Sequence, residues 1–311
     1  MNSQAACLSS KAVLVQNLNN GLEPMYEITP QHPFLVGIDS DGCAFDTMEL
    51  KHKECFIPNT INYYNLQAIS KYAREAAEFV NLYSKSRGIN RFPALLETLE
   101  WLQRRPEVHA RGVTVTIPAS LARWCQEETK LANPALQAKV EATNDPALVQ
   151  ALAWSKAVNE SVAAMVRGVP PFPFVRECLQ KLSGQADMLV CSATPNNALR
   201  AEWHEHGIDR FVAAICGQEV GTKKEILTNA AKYGPHQSLM IGDAPGDYSA
   251  AKANQCLFFP INPGAEDASW ERLYQEGIDR FLQGRFAGDY QRTLLEEFDR
   301  YLPEKPPFRT I

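Results

Sequence analysis

The chain has 311 residues, 45% hydrophobic and 22% charged, an ordinary globular composition with room for two domains or one core carrying a large insertion. A formal net charge of -5 and a pI near 5.8 lack the basic footprint of a nucleic-acid binder and give no attraction to anionic membranes. No apolar run approaches the roughly 18 residues that span a bilayer. The N-terminus, MNSQAACLSSKAVLVQ, lacks a basic stretch followed by an apolar core, so a cytoplasmic protein is expected.

Residues 1–33 read as an extension with weak periodicity, ending in the turn-rich ITPQHP. Phe34–Ile38 reads as a strand. From about Met48 to Val166 the pattern changes to helix, as in NLQAISKYAREAAEFVNLYSK, PALLETLEWLQRR, PALQAKVEA and PALVQALAWSKAVNESVAAMV. Asn133 and Asp145, each followed by proline, are the expected N-caps of two of these helices. GVTVTI alternates, and reads as a short strand or an extended linker. Trp101, Trp124 and Trp154 occupy apolar helical positions, as core residues would. The cluster Val169-Pro170-Pro171-Phe172-Pro173 marks a boundary. After it, helices and strands alternate: VRECLQKLSG, ADMLVCSATP, NALRAEWHEHGI, FVAAICGQE, KKEILTNAAKYG, SLMIGDAPGD, SAAKANQ and CLFFPI. Two amphipathic helices close the chain, either over a sheet edge or in a dimer contact.

The expected fold is therefore α/β, a doubly wound parallel sheet covered by helices, interrupted by an all-helical insertion. The expected division is 1–33 extension, 34–48 and 168–261 core, 49–167 helical insertion and 262–311 C-terminal extension packing on the core. The eight cysteines form no CxxC pair and several sit in apolar runs, so they read as buried free thiols in a reducing compartment rather than a zinc or disulfide framework.

In an open parallel sheet, ligands bind outside the carboxyl ends of the strands. Four polar segments stand at or near such ends: Asp39-Ser40-Asp41-Gly42, Cys191-Ser192-Ala193-Thr194, Gly221-Thr222-Lys223-Lys224 opening a helix, and Gly242-Asp243-Ala244-Pro245-Gly246-Asp247. Any one alone reads equally well as a turn. In this order, FLVGIDSDG, VCSATP, TKKEIL and IGDAPGD resemble the four motifs of the haloacid dehalogenase superfamily, over about residues 34 to 260.

The resemblance implies a Rossmann-like core and a phosphatase working through an aspartyl-phosphate. Asp39 would be the nucleophile. Asp41 would protonate the leaving oxygen and then activate water. Ser192, with Thr194 as its rival, would donate to a phosphoryl oxygen. Lys223, with Lys224 as its rival, would neutralise charge on the aspartate and the phosphate. A carboxylate attacking a phosphate needs a cation between them. Mg2+, held by Asp39, the Asp41 backbone carbonyl and the Asp243 carboxylate, would serve. Asp247 would orient Lys223 or a metal-bound water, or else cap the next helix. Cys43 stands where the family usually has threonine, which leaves that side chain without an assigned role, and Gly246 replaces a frequent asparagine.

Asp41 argues for phosphate ester chemistry over dehalogenation, and the lack of membrane spans argues against an ion pump. The insertion resembles the family's cap placed after the first strand. Within it, Ser86–Phe92 resembles a specificity loop, and Arg87 and Arg91 are candidates to bind a second anionic group, against the plainer reading of a solvated basic turn. The expected function is hydrolysis of a small-molecule phosphate monoester, with no nucleic-acid or membrane partner. The alternatives are a phosphomutase of the same fold and a catalytically silent binding protein.

Overall fold

Five short apolar runs become the five strands of one parallel sheet in the computed structural model, which describes residues 26–311. These are β1 (Phe34–Ile38), β2 (Ala186–Cys191), β3 (Ala214–Cys216), β4 (Ser238–Gly242) and β5 (Leu257–Pro260), in the spatial order β3-β2-β1-β4-β5. Ile38 is level with Val190 of β2 and with Ile241 of β4. The carboxyl ends of the three central strands therefore open side by side. The strand order reverses between β1 and β4, and that switch point is where a doubly wound sheet leaves a crevice.

The strands are buried on both faces, as the helices on either side require. Val36, Ile38, Met188 and Val190 face one core with Trp203, Trp270 and Phe281. Leu35, Leu189 and Met240 face the other with Leu227, Phe258 and Phe298.

Between β1 and β2 the regular elements are helical, from Thr47 to Met165. They carry a third core built around Ile57, Phe92, Leu99, Trp124 and Trp154. Phe92 meets Trp124 and Trp154 edge-on at 5.1 and 6.1 Å. The segment leaves and returns at one place: Phe45 bridges Pro171, and the Phe172 N–H donates to the Ala44 carbonyl at 2.9 Å.

Several local expectations change. Asp145 caps its helix through the N–H groups of Ala147 and Leu148, but Asn133 is itself the first helical residue and accepts from Ser155 Oγ at 2.6 Å. Of the two readings of GVTVTI the extended linker holds: it pairs with no described strand, and the Val115 carbonyl accepts from Gln103 Nε2. The strand expected over FVAAICGQE shortens to β3, preceded by a 3-10 turn at Asp209–Phe211. KKEILTNAAKYG is α-helical only over Lys223–Ile226 and continues as a 3-10 turn, Leu227–Lys232. Of the N-terminal extension, residues 1–25, including Cys7, lie outside the described residues. The rest runs along the sheet, where Asp187 accepts from the Gln31 and His32 N–H groups. Every described cysteine is free.

The C-terminal helices cover the sheet at β5. Trp270 Nε1 donates to the Cys43 carbonyl at 2.8 Å, and Gln291 Oε1 accepts the N–H of Phe258 on this edge strand at 3.1 Å. A side chain thus occupies a backbone donor that would otherwise invite another strand. The tail then crosses to the helical insertion. Phe308 packs against Phe79 and Trp101, the Arg105 guanidinium lies 4.1 Å from its ring centre, and the Ile311 N–H donates to the Arg104 carbonyl. The extension therefore packs on the insertion as well as on the core.

Candidate functional site

Asp39 follows β1 directly and is 5% exposed. Its Oδ1 accepts from the Ser40 N–H at 2.7 Å and its Oδ2 from Lys223 Nζ at 2.6 Å. Lys223 opens its helix behind Thr222, whose side chain makes a reciprocal capping box with Glu225. That fixes the direction of the first turn, and Lys223 reaches Asp247 Oδ1 as well as Asp39. Lys224, one residue on, is exposed. Asp247 is fully buried, and its Oδ2 accepts the N–H groups of Asp243 and Ala244 at 3.1 and 3.0 Å. It both holds the turn after β4 and orients Lys223. A Cβ on Gly242 would stand 2.5 Å from that of Asp247, so glycine is what lets the carboxylate fold back over the strand end.

Asp243 is 1% exposed. Its Oδ2 accepts from Arg87 Nε at 2.7 Å, while its Oδ1 is buried with no hydrogen-bond partner among the described residues. Asp39, Asp243 and Asp247 offer oxygens within 4.8 Å of one another. An acidic cluster alone does not make a metal site, but a buried, unpartnered carboxylate oxygen inside one is costly unless a cation takes it. Hard oxygen donors of this kind suit a divalent cation, and the residues present are compatible with one.

Burial raises the Asp39 carboxyl well above its usual range, with Lys223 opposing and Asp247 and Asp243 adding to it. Asp243 is raised by burial too, with Arg87 opposing. Burial lowers Lys223, but Asp247 and Asp39 outweigh it and hold the ammonium well above its usual value.

The Asp41 carboxylate is held by a different set of partners. It accepts from Thr47 Oγ1, from Lys51 Nζ through both oxygens at 2.5 and 2.6 Å, and from Thr194 Oγ1 at 2.7 Å. Burial pushes its pKa up, but Lys51 and the two hydroxyls more than offset this and leave it below the ordinary value. Ser192 directly follows β2, is buried, and accepts from the Thr194 N–H at 3.2 Å. Gly42 has φ +73°, a conformation glycine adopts without strain, and the Ser40 carbonyl just before it gathers the N–H groups of Cys43, Ala44 and Phe45. Burial, then the Asp243 and Asp39 charges, push the Cys43 thiol well up, which disfavours its thiolate.

Arg87 and Arg91 part company. Arg87 enters the carboxylate cluster. Arg91 stays in the insertion, donating to Ser155 and Asn159 and lying over the Phe56 ring at 5.0 Å.

Thr47, Lys51, His52 and Glu202 are neighbours of Asp41 that the motifs did not indicate. Thr47 and Lys51 stand one helical turn apart directly after the first motif, a spacing that marks one face but names no partner. His52 packs on Phe56 at 4.7 Å, its Nδ1 buried without a partner among the described residues; burial and then Arg87 push it down to about 3. Glu202 accepts from Ser40 Oγ at 3.2 Å; burial, then the Asp41 charge, push it up to about 7.

No family model and no curated protein matches the chain. Among solved structures it is similar to a candidate phosphoglycolate phosphatase from Lactobacillus delbrueckii subsp. bulgaricus, at 12% identity over 83% of this chain and 100% of that one, TM-score 0.45. It is also similar to a haloacid dehalogenase-like hydrolase from Streptococcus pneumoniae, at 14% identity over 78% and 90%, TM-score 0.42. A third is a haloacid dehalogenase superfamily hydrolase from Geobacter sulfurreducens, at 15% identity over 74% and 88%, TM-score 0.34.

Proposed function

We propose that this protein is a phosphatase of the haloacid dehalogenase type, hydrolysing a small-molecule phosphate monoester with Mg2+. One observation carries the reading: Asp39 and Asp243 stand at the switch point as buried carboxylates, Lys223 bridges Asp39 to Asp247, and Asp243 Oδ1 has no partner among the described residues. When bound by Asp39 and Asp243, with the Asp41 carbonyl as a further ligand, the ion would offset the repulsion between carboxylate and phosphate.

Asp39 attacks phosphorus, the ester oxygen leaves with a proton, and an aspartyl-phosphate forms. Water then attacks that phosphorus, releasing inorganic phosphate and restoring Asp39. Lys223 holds the Asp39 charge against its desolvation. Ser192 and Thr194 are the hydroxyls at the end of β2 available to the phosphoryl oxygens, with Thr194 tied to Asp41 in this arrangement. Asp41 exchanges the proton with the leaving oxygen and then with water. The test is phosphate release from a panel of phosphate monoesters, with and without Mg2+. Metal-dependent release is expected. No release from any ester by folded protein overturns the reading.

Lys51 sets when Asp41 can carry its proton. Loss of an ammonium at hydrogen-bond distance raises a carboxyl pKa by about 1–3 pH units. The step that needs protonated Asp41 fails as pH rises through that pKa. Lys51→Met is therefore expected to move the alkaline limb of kcat/KM upward by about one pH unit or more; an unmoved limb removes Lys51 from the proton chemistry.

A further inference from the structure

Arg87 is where the helical insertion reaches the carboxylate cluster. It lies in the turn between the helices Ser70–Leu82 and Arg91–Gln103 and is 2% exposed. Besides its bond to Asp243 Oδ2, it donates through Nη1 to the Leu82 carbonyl at 2.8 Å and through Nη2 to the Gly42 carbonyl at 3.4 Å. The seat is close-fitting on both sides. A Cβ on Gly42 would stand 2.5 Å from Arg87 Nη2, and one on Gly88 would stand 3.0 Å from the Ala244 Cβ. The loop is thus pressed onto the turns after β1 and β4, the two segments that carry Asp39 and Asp243.

The charges divide cleanly. Lys223 serves Asp39 and Asp247, and among the described residues Asp243 forms its ion pair with Arg87 alone. Arg87 already gives Asp243 the positive charge that a divalent ion would bring. A guanidinium and a dication drawing on one buried carboxylate repel each other, and burial leaves that repulsion poorly screened.

We propose that Arg87 makes seating of the helical insertion and binding of a divalent cation antagonistic: the guanidinium latches the insertion onto Asp243 when the ion is absent, and the ion loosens the latch. This rests on the metal-dependent reading of the site. The coupling is reciprocal, so whatever the contact takes from ion affinity the ion takes from the contact. The consequence is a site that opens to phosphate esters once its ion has arrived.

The test is calorimetric titration of Mg2+ and Mn2+ into the native protein, Arg87→Gln and Arg87→Lys, with hydrogen exchange of residues 82–90 in the native protein with and without the ion. Arg87→Gln is expected to bind the ion about tenfold more tightly or better, a shift at the scale of ordinary site-to-site coupling. Arg87→Lys, which keeps the charge, is expected to stay near the native affinity. Exchange at 82–90 is expected to rise when the ion is added, a readout that needs no variant. Equal or weaker binding by Arg87→Gln, or exchange that falls on adding the ion, overturns the antagonism and leaves the phosphatase reading standing. No binding of either ion by any of the three proteins overturns both.

Discussion

Asp39→Asn is expected to lower phosphate release by about 10⁴-fold or more while leaving the protein folded. The amide is nearly the same size as the carboxylate but is no nucleophile. Its stability effect has a definite sign. Asp39 is 5% exposed and its pKa is raised by burial, so its charged form is held in the fold at a cost. That cost is absent at low pH and grows as pH rises through the folded-state pKa. Removing the charge relieves it, and Lys223 keeps Asp247 as a partner. The melting temperature at neutral pH should therefore hold or rise. Activity and melting temperature measured together check this. A variant that unfolds, or one that still turns over, contradicts the role given to Asp39.

Lys223→Met is expected to do the opposite to stability and the same to activity. It strands two buried carboxylates, Asp39 and Asp247, without their shared ammonium. Breaking a buried pair from one side costs about 3–5 kcal/mol, which for a chain of this size is a fall of roughly 10 °C in melting temperature. The loss should be greatest at neutral pH and recover toward acid, because Asp39, with its raised pKa, takes up its proton there. Activity should fall by about 10²–10³-fold or more from lost electrostatic support alone. A thermal scan across pH tests the first point, and an unchanged scan denies Lys223 its bridging place.

The alternation of apolar runs and amphipathic helices was enough to read the parallel sheet and the helical insertion, because period and burial are local properties of sequence. The polar segments after apolar runs or at a helix start were readable locally, but it was the resemblance of the four in order to known motifs that singled out Asp39, Ser192, Lys223, Asp243 and Asp247. The choice between Lys223 and Lys224 needed the capping box at Thr222, which sets the phase of the first turn.

What the sequence did not show depends on contacts between distant segments. Nothing around Arg87 marks it as a partner of Asp243, 156 residues away. Lys51 and Thr47 announce a helix face, but only folding brings that face to Asp41. Glu202 reads as an ordinary helix-surface acid until Ser40 and Asp41 are beside it. The C-terminal tail carries no motif, and its crossing to Phe79 and Trp101 is fixed by packing of Phe308, with Arg105 over its ring and the Ile311 N–H on the Arg104 carbonyl. β3 falls short of its expected length because an edge strand pairs on one side only, and β2 supplies partners for just Ala214, Ile215 and Cys216.

The most direct test of the account is covalent. The protein is mixed with a turned-over phosphate ester and Mg2+, quenched in acid within one turnover, and its peptides are mapped by mass. A phosphoryl adduct is expected on the peptide carrying Asp39, absent in Asp39→Asn and gone once substrate is exhausted. Turnover with no adduct on that peptide at any quench time, or an adduct on another residue, would contradict it.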